Sequence, residues 1–126
     1  MNKVKVKVKG IGGVFFKSKN SEELTQWYHK YLGFDLDEYN CVTFNPKTMP
    51  DNGYTVWSAF KADTDYFEPS KQQFMINLLV DDVEQMLKQV EEGGATIVGE
   101  ILDEDYGVFG WFLDPEGFKV ELWCPK

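Results

Sequence analysis

One arrangement of helix starts and stops occurs twice in this chain. Asn20-Ser-Glu-Glu opens an apolar-striped stretch that ends at Gly33, and Asp81-Asp82 opens another that runs through Glu92 and stops at Gly93-Gly94. Starts and stops are both offset by roughly 60 residues, the mark of an internal repeat. Each helical stretch is preceded by an apolar strand pattern and followed by further short ones, so the repeating unit reads β-α-β-β-β. A helix with one apolar stripe must bury it on a sheet face. Two such units predict an α+β chain whose curved mixed sheet closes around a cleft. The modules cover about residues 10–66 and 71–126, and both belong to a single domain spanning 1–126. At 126 residues the chain is long enough for one core.

The local signals are of ordinary kinds. Asn20 or Ser21 caps the first helix, Glu22 and Glu23 suit the positive end of its dipole, and Leu24, Trp27, Tyr28 and Tyr31 share one stripe. His29, the sole histidine, falls on the outward face of that helix. Strands are expected at Ile11 to Lys17, Asp35 to Tyr39, Cys41 to Asn45 and Tyr54 to Lys61, then at Phe74 to Val80, Thr96 to Leu102, Val108 to Leu113 and Phe118 to Trp123. Between the halves, Ala62 to Lys71 is acidic, aromatic and without period; Tyr66 and Phe67 argue for a packed loop.

Near the C-terminus Asp114-Pro-Glu-Gly117 joins two strands. Pro115 sets φ for a turn and Gly117 can take positive φ, so a hairpin is predicted. On its second strand Val120 and Leu122 share one face, while Lys119, Glu121 and Trp123 share the other. A carboxylate among apolar neighbours needs a reason: Glu121 either has a function or is paired with Lys17 or Lys119.

Thirteen basic against twenty-one acidic residues give a net charge of −8, which disfavours nucleic acid and anionic membranes as partners. Lys3, Lys5, Lys7 and Lys9 alternate with valines at the period of a strand with one solvated face. No apolar run is long enough for a membrane helix, and no secretory leader pattern is present. Cys41 and Cys124 have no metal or redox spacing, so reduced thiols and a cytoplasmic location are expected.

Several segments in this order resemble the vicinal oxygen chelate superfamily of glyoxalases, extradiol dioxygenases and fosfomycin- and bleomycin-resistance proteins. They are Val14 to Asn20, Trp27-Tyr28, Tyr31-Leu-Gly-Phe34, Ile76 to Asp82, Gly93-Gly94-Ala95, Asp114 to Gly117 and Glu121-Leu122-Trp123. The stretch Trp57 to Phe67 is similar to a bacterial glyoxalase-like subgroup. The resemblance implies a homodimer, and a divalent metal held by one residue from the first strand and one carboxylate from the last strand of each module. Those positions fall here on Gly13, Met75, the vicinity of Trp57, and Glu121. Only Glu121 is a ligand type, and a catalytic divalent ion needs about three or four protein donors. Neither a metal nor another cofactor is therefore expected.

Strand alternation points Gly13, Phe15 and Lys17, Met75, Asn77 and Leu79, and Lys119, Glu121 and Trp123 toward the cleft. Phe15, Lys17, Trp57, Met75, Asn77, Trp111, Lys119 and Trp123 are the candidate ligand-binding residues, a mostly apolar wall with a few polar groups. The expected ligand is a small, partly aromatic molecule. The alternative is a lyase or isomerase with Glu121 as general base, its metal site, if any, completed by substrate oxygens. A protein-interaction module is a third reading, carried by the Val/Lys arm alone.

Overall fold

The structure, a computed structural model, describes residues 13–126. Two helices and a four-stranded sheet form it: α1 (Ser21–Leu32), β1 (Ile76–Leu79), α2 (Val83–Glu92), β2 (Thr96–Glu104), β3 (Gly107–Leu113) and β4 (Lys119–Pro125), with a short 3₁₀ turn at Pro46–Thr48. The α+β class with a mixed sheet is as expected. Of the first predicted strand, residues 11 and 12 lie outside the described residues, as does the Val/Lys arm. No described helix is long and apolar enough to cross a membrane.

Both helices begin where their capping chemistry places them. The Asn20 side chain accepts from Glu23 N at 3.1 Å, and Asp82 does the same for Gln85 N at 2.9 Å. Leu24, Tyr28 and Leu32 of α1 and Val83, Leu87 and Val90 of α2 are buried. They meet Phe112, Phe118, Val120 and Leu122 of the sheet in one core. The Trp27 indole crosses between the helices to donate to Gly93 O at 2.8 Å.

The sheet order is β1-β4-β3-β2, with β1 parallel to β4 and the other pairs antiparallel. Because β4 is paired on both sides, its alternation sorts residues cleanly. Val120 and Leu122 are fully buried on the helix side, while Lys119, Glu121 and Trp123 lie on the other face. The hairpin before β4 closes as its sequence requires: Gly117 N donates to Asp114 O at 2.9 Å, and Gly117 has φ 85°, which glycine adopts without steric cost.

The first half departs from expectation. Where strands were predicted at 35–39 and 41–45, a single bridge joins Leu36 and Val42. Asp37 Oδ1 takes the N–H groups of Tyr39 at 2.8 Å and Cys41 at 3.0 Å, and Asn40 adopts φ 59°, so side-chain turn chemistry captures the donors a ladder would need. Residues 13–17 and 54–61 pair with no strand among the described residues, and Tyr54, Val56, Trp57 and Phe60 are exposed.

Candidate functional site

Adjacent strands deliver the polar centre of the open sheet face in register. Asn77 on β1 and Trp111 on β3 flank Glu121 on β4. Asn77 Nδ2 donates to Glu121 Oε1 at 2.6 Å, and Trp111 Nε1 donates to Oε2 at 2.8 Å. The Tyr66 hydroxyl, from the loop between the halves, also donates to Oε2. Glu121 is 8% exposed, so three donors satisfy a carboxylate that water barely reaches. Burial and the bond to Glu121 push the Tyr66 hydroxyl well above the usual phenol range, so it remains a donor.

Lys119, also 8% exposed, lies two residues before Glu121 on the same face. Its Nζ donates to the Tyr66 carbonyl oxygen at 2.6 Å and sits 5.2 Å from the Tyr66 ring centre and 5.9 Å from that of Trp111. Burial lowers its pKa below the ordinary lysine value, opposed by the charges of Glu121 and Asp65. The alternative pairing of Glu121 with Lys17 or Lys119 is not what forms: among the described residues no ion pair joins them, and the carboxylate is held by neutral donors.

Beyond this polar centre the face is aromatic. Phe109 lies parallel to Trp123 with centroids 6.1 Å apart, Phe109 and Trp111 stack at 6.5 Å, and Tyr54 meets Trp123 edge-on at 4.8 Å. Trp123 is buried, and its indole N–H has no acceptor among the described residues. Gly107 packs directly on that nitrogen at φ 155°, where any Cβ would collide with it.

Of the sequence candidates, Glu121, Asn77, Trp111 and Lys119 are brought together, and Trp123 continues the same face. Met75 is half-buried just before β1, and Lys17 is exposed. Phe15 and Trp57 are 95% and 79% exposed, so neither is brought into the group around Glu121, which Asn77, Trp111 and Tyr66 enclose instead. Tyr66, by sequence a loop aromatic suited to stacking on a ligand, reaches the site instead through its hydroxyl on Glu121, and sequence reasoning passed over Phe109. The latter was detectable, since it shares the alternation that put Trp111 on this face. A separate depression of about 240 Å³, bordered by Lys19, Trp27 and Glu116, lies at the start of α1 and includes none of these residues.

The positions that hold a divalent ion in the resembled superfamily do not fit one here. Gly13 and Met75 supply no hard donor, and the oxygens of Glu121 already accept from three neutral donors. Among the described residues no three His, Cys, Asp or Glu side chains converge.

A family model described as Glyoxalase-like domain matches residues 13–123. A search of curated proteins finds no match. Among solved structures, a glyoxalase-related enzyme from Fulvimarina pelagi superposes with a TM-score of 0.56 at 14% identity, covering 93% of this chain and 88% of its own. A member of the glyoxalase/bleomycin resistance protein/dioxygenase superfamily from Sphaerobacter thermophilus gives 0.50 at 20% identity over 85% and 90%. TnmS3, an antibiotic binding protein from Streptomyces sp. CB03234, gives 0.51 at 23% identity over 86% and 88%. The chain spans 46% of an NAD-dependent benzaldehyde dehydrogenase chain from Legionella pneumophila, at a TM-score of 0.35. At these identities the likeness is one of fold.

Proposed function

The chain belongs to the glyoxalase-like domain family, within the vicinal oxygen chelate superfamily, and from that premise we propose that it binds a small, partly aromatic molecule on the open sheet face without a metal. The observation that carries this reading is the Glu121 carboxylate, fixed by Asn77, Trp111 and Tyr66 beside the stacked rings of Phe109, Trp111 and Trp123. An aromatic wall with a few oriented polar groups suits a planar ligand that carries a hydrogen-bond donor. That a structural neighbour is an antibiotic binding protein agrees with this use of the fold.

The reading takes residues about 10–66 and 71–126 as two modules of one domain, in a cytoplasmic homodimer that needs no nucleic acid or membrane partner. A lyase or isomerase using Glu121 as base is the competing reading, and the occupied lone pairs of Glu121 speak against it. Three of about four lone-pair positions on its carboxylate are taken, which leaves a substrate C–H a single one on Oε1.

Glu121→Gln separates the two. A sequestering protein keeps its fold and changes affinity by about 1–3 kcal/mol for one charged hydrogen bond. A base-catalysed enzyme loses turnover by orders of magnitude. Tryptophan emission and melting temperature, followed across aromatic and dicarbonyl compounds, supply the readout. If no compound shifts either signal and the substitution is silent, the site reading fails.

A further inference from the structure

Glu121 and Lys119 stand two residues apart on β4, and one residue from outside the sheet closes both. Tyr66 donates its hydroxyl to Glu121 Oε2, while its carbonyl oxygen accepts from Lys119 Nζ at 2.6 Å. The other partners of Glu121 are built into the sheet, since Asn77 and Trp111 are its register neighbours on either side. Tyr66 is not. Its segment is ordered by its own turns, with Thr64 N to Lys61 O, Glu68 N to Asp65 O and Ser70 N to Phe67 O, each at 3.0 Å. The ring stacks on Phe60 at 5.6 Å and meets Trp111 edge-on, and 38% of the residue stays exposed.

Tyr66 can therefore leave without breaking a ladder bond, and its departure would strip the buried lysine of its one acceptor among the described residues and the glutamate of one donor. Such losses are unfavourable unless something else fills both places. The filler must present a donor to Glu121, an acceptor to Lys119, and an aromatic body against Trp111.

We propose that Tyr66 is an internal occupant of the binding site, and that the ligand which displaces it is a phenol carrying a carbonyl or carboxylate oxygen. This rests on the small-molecule reading above and names the ligand's chemistry. The phenol takes the place of the Tyr66 hydroxyl on Glu121, and the second oxygen takes that of the Tyr66 carbonyl on Lys119. Tyr66 is thus a competitor of the ligand, not a wall of its pocket, and the two roles predict opposite signs.

The test is calorimetric titration of 4-hydroxyphenylacetamide into wild type, Tyr66→Phe and Tyr66→Ala, with phenylacetamide and p-cresol as probes lacking the hydroxyl or the amide. A competitor lowers apparent affinity by the fraction of sites it fills, so both variants are expected to bind the full probe about five- to tenfold more tightly than wild type. Each truncated probe is expected to bind every variant more weakly than the full probe, since it leaves Glu121 or Lys119 without the group it would supply. Should Tyr66→Ala fail to fold, Tyr66→Phe, which keeps the ring stack, decides. Equal or weaker binding in the variants overturns the internal-occupant role. If other aromatic compounds bind wild type in a Glu121-dependent way while these probes bind no variant, the ligand class proposed here falls and the binding reading stands. If nothing binds at all, both fall.

Discussion

The Tyr28 hydroxyl donates to Asp114 Oδ2 across 2.7 Å, tying the middle of α1 to the first residue of the hairpin turn, 86 positions away in sequence. Asp114 also accepts from Glu116 N at 2.9 Å and Phe118 N at 3.0 Å through Oδ1. One buried carboxylate therefore fixes both the turn that launches β4 and the helix that covers it. Tyr28→Phe leaves Asp114 buried and short of a donor, at an expected cost of about 1–3 kcal/mol. Urea unfolding measures this; a change below a few tenths of a kcal/mol would show that the bond contributes nothing net.

Glu116 gives the turn a pH dependence. Burial opposes its ionisation, but hydrogen bonds from Ser18 Oγ, Lys19 N and Asn20 N hold its carboxyl below the usual range. A carboxylate whose folded pKa is depressed adds stability above its unfolded value, about 4.3, and loses that contribution as pH falls through the folded value. Wild type is expected to exceed Glu116→Gln in stability at neutral pH, with the gap closing under acid. A gap that widens toward low pH would contradict the assignment.

Asp114 runs the other way. Burial, partly offset by the bonds from Tyr28, Phe118 and Glu116, raises its pKa. Its contribution is fully present below about 3.9 and is lost as pH rises through the folded value. Asp114→Asn should flatten that part of the stability profile while keeping an acceptor for the turn. Denaturation midpoints between acid and neutral pH, compared with wild type, check it.

Lys119 trades stability for its place on the sheet face. A desolvated ammonium with one acceptor among the described residues is costly, so Lys119→Met is expected to raise the melting temperature by a few degrees. Unchanged or lowered melting would mean that the lysine's contacts with Tyr66 and Trp111 outweigh its desolvation.

Gly107→Ala tests the seat of Trp123. A methyl group there collides with the indole nitrogen, and φ 155° is unfavourable for alanine. Destabilisation by about 1–3 kcal/mol and a shift in tryptophan emission are expected. A silent substitution would show that Trp123 has room to move.

Both helices and the C-terminal strands could be read from sequence because their signals are local: caps at Asn20 and Asp82, alternation around Phe112 and Val120, turn chemistry at Asp114 to Gly117. Glu121 stood out as a carboxylate in an apolar strand. Its partnership with Tyr66 spans 55 positions and comes from an aperiodic loop, so no period or spacing announced it. The strands expected at 35–45 were lost to the side chain of Asp37, a competitor that residue patterns do not weigh against pairing.

The placement of β4 between β1 and β3 makes the site and the core two sides of the same seven residues. A slip of one position would drive Lys119 and Glu121 into the helix-covered interior and turn Val120 and Leu122 outward. Misregistered pairing is thereby penalised by the loss of the donors to Glu121 and of the acceptor of Lys119 as well as by lost packing. The two charged residues of this face thus also act as a proofreading device for strand assembly.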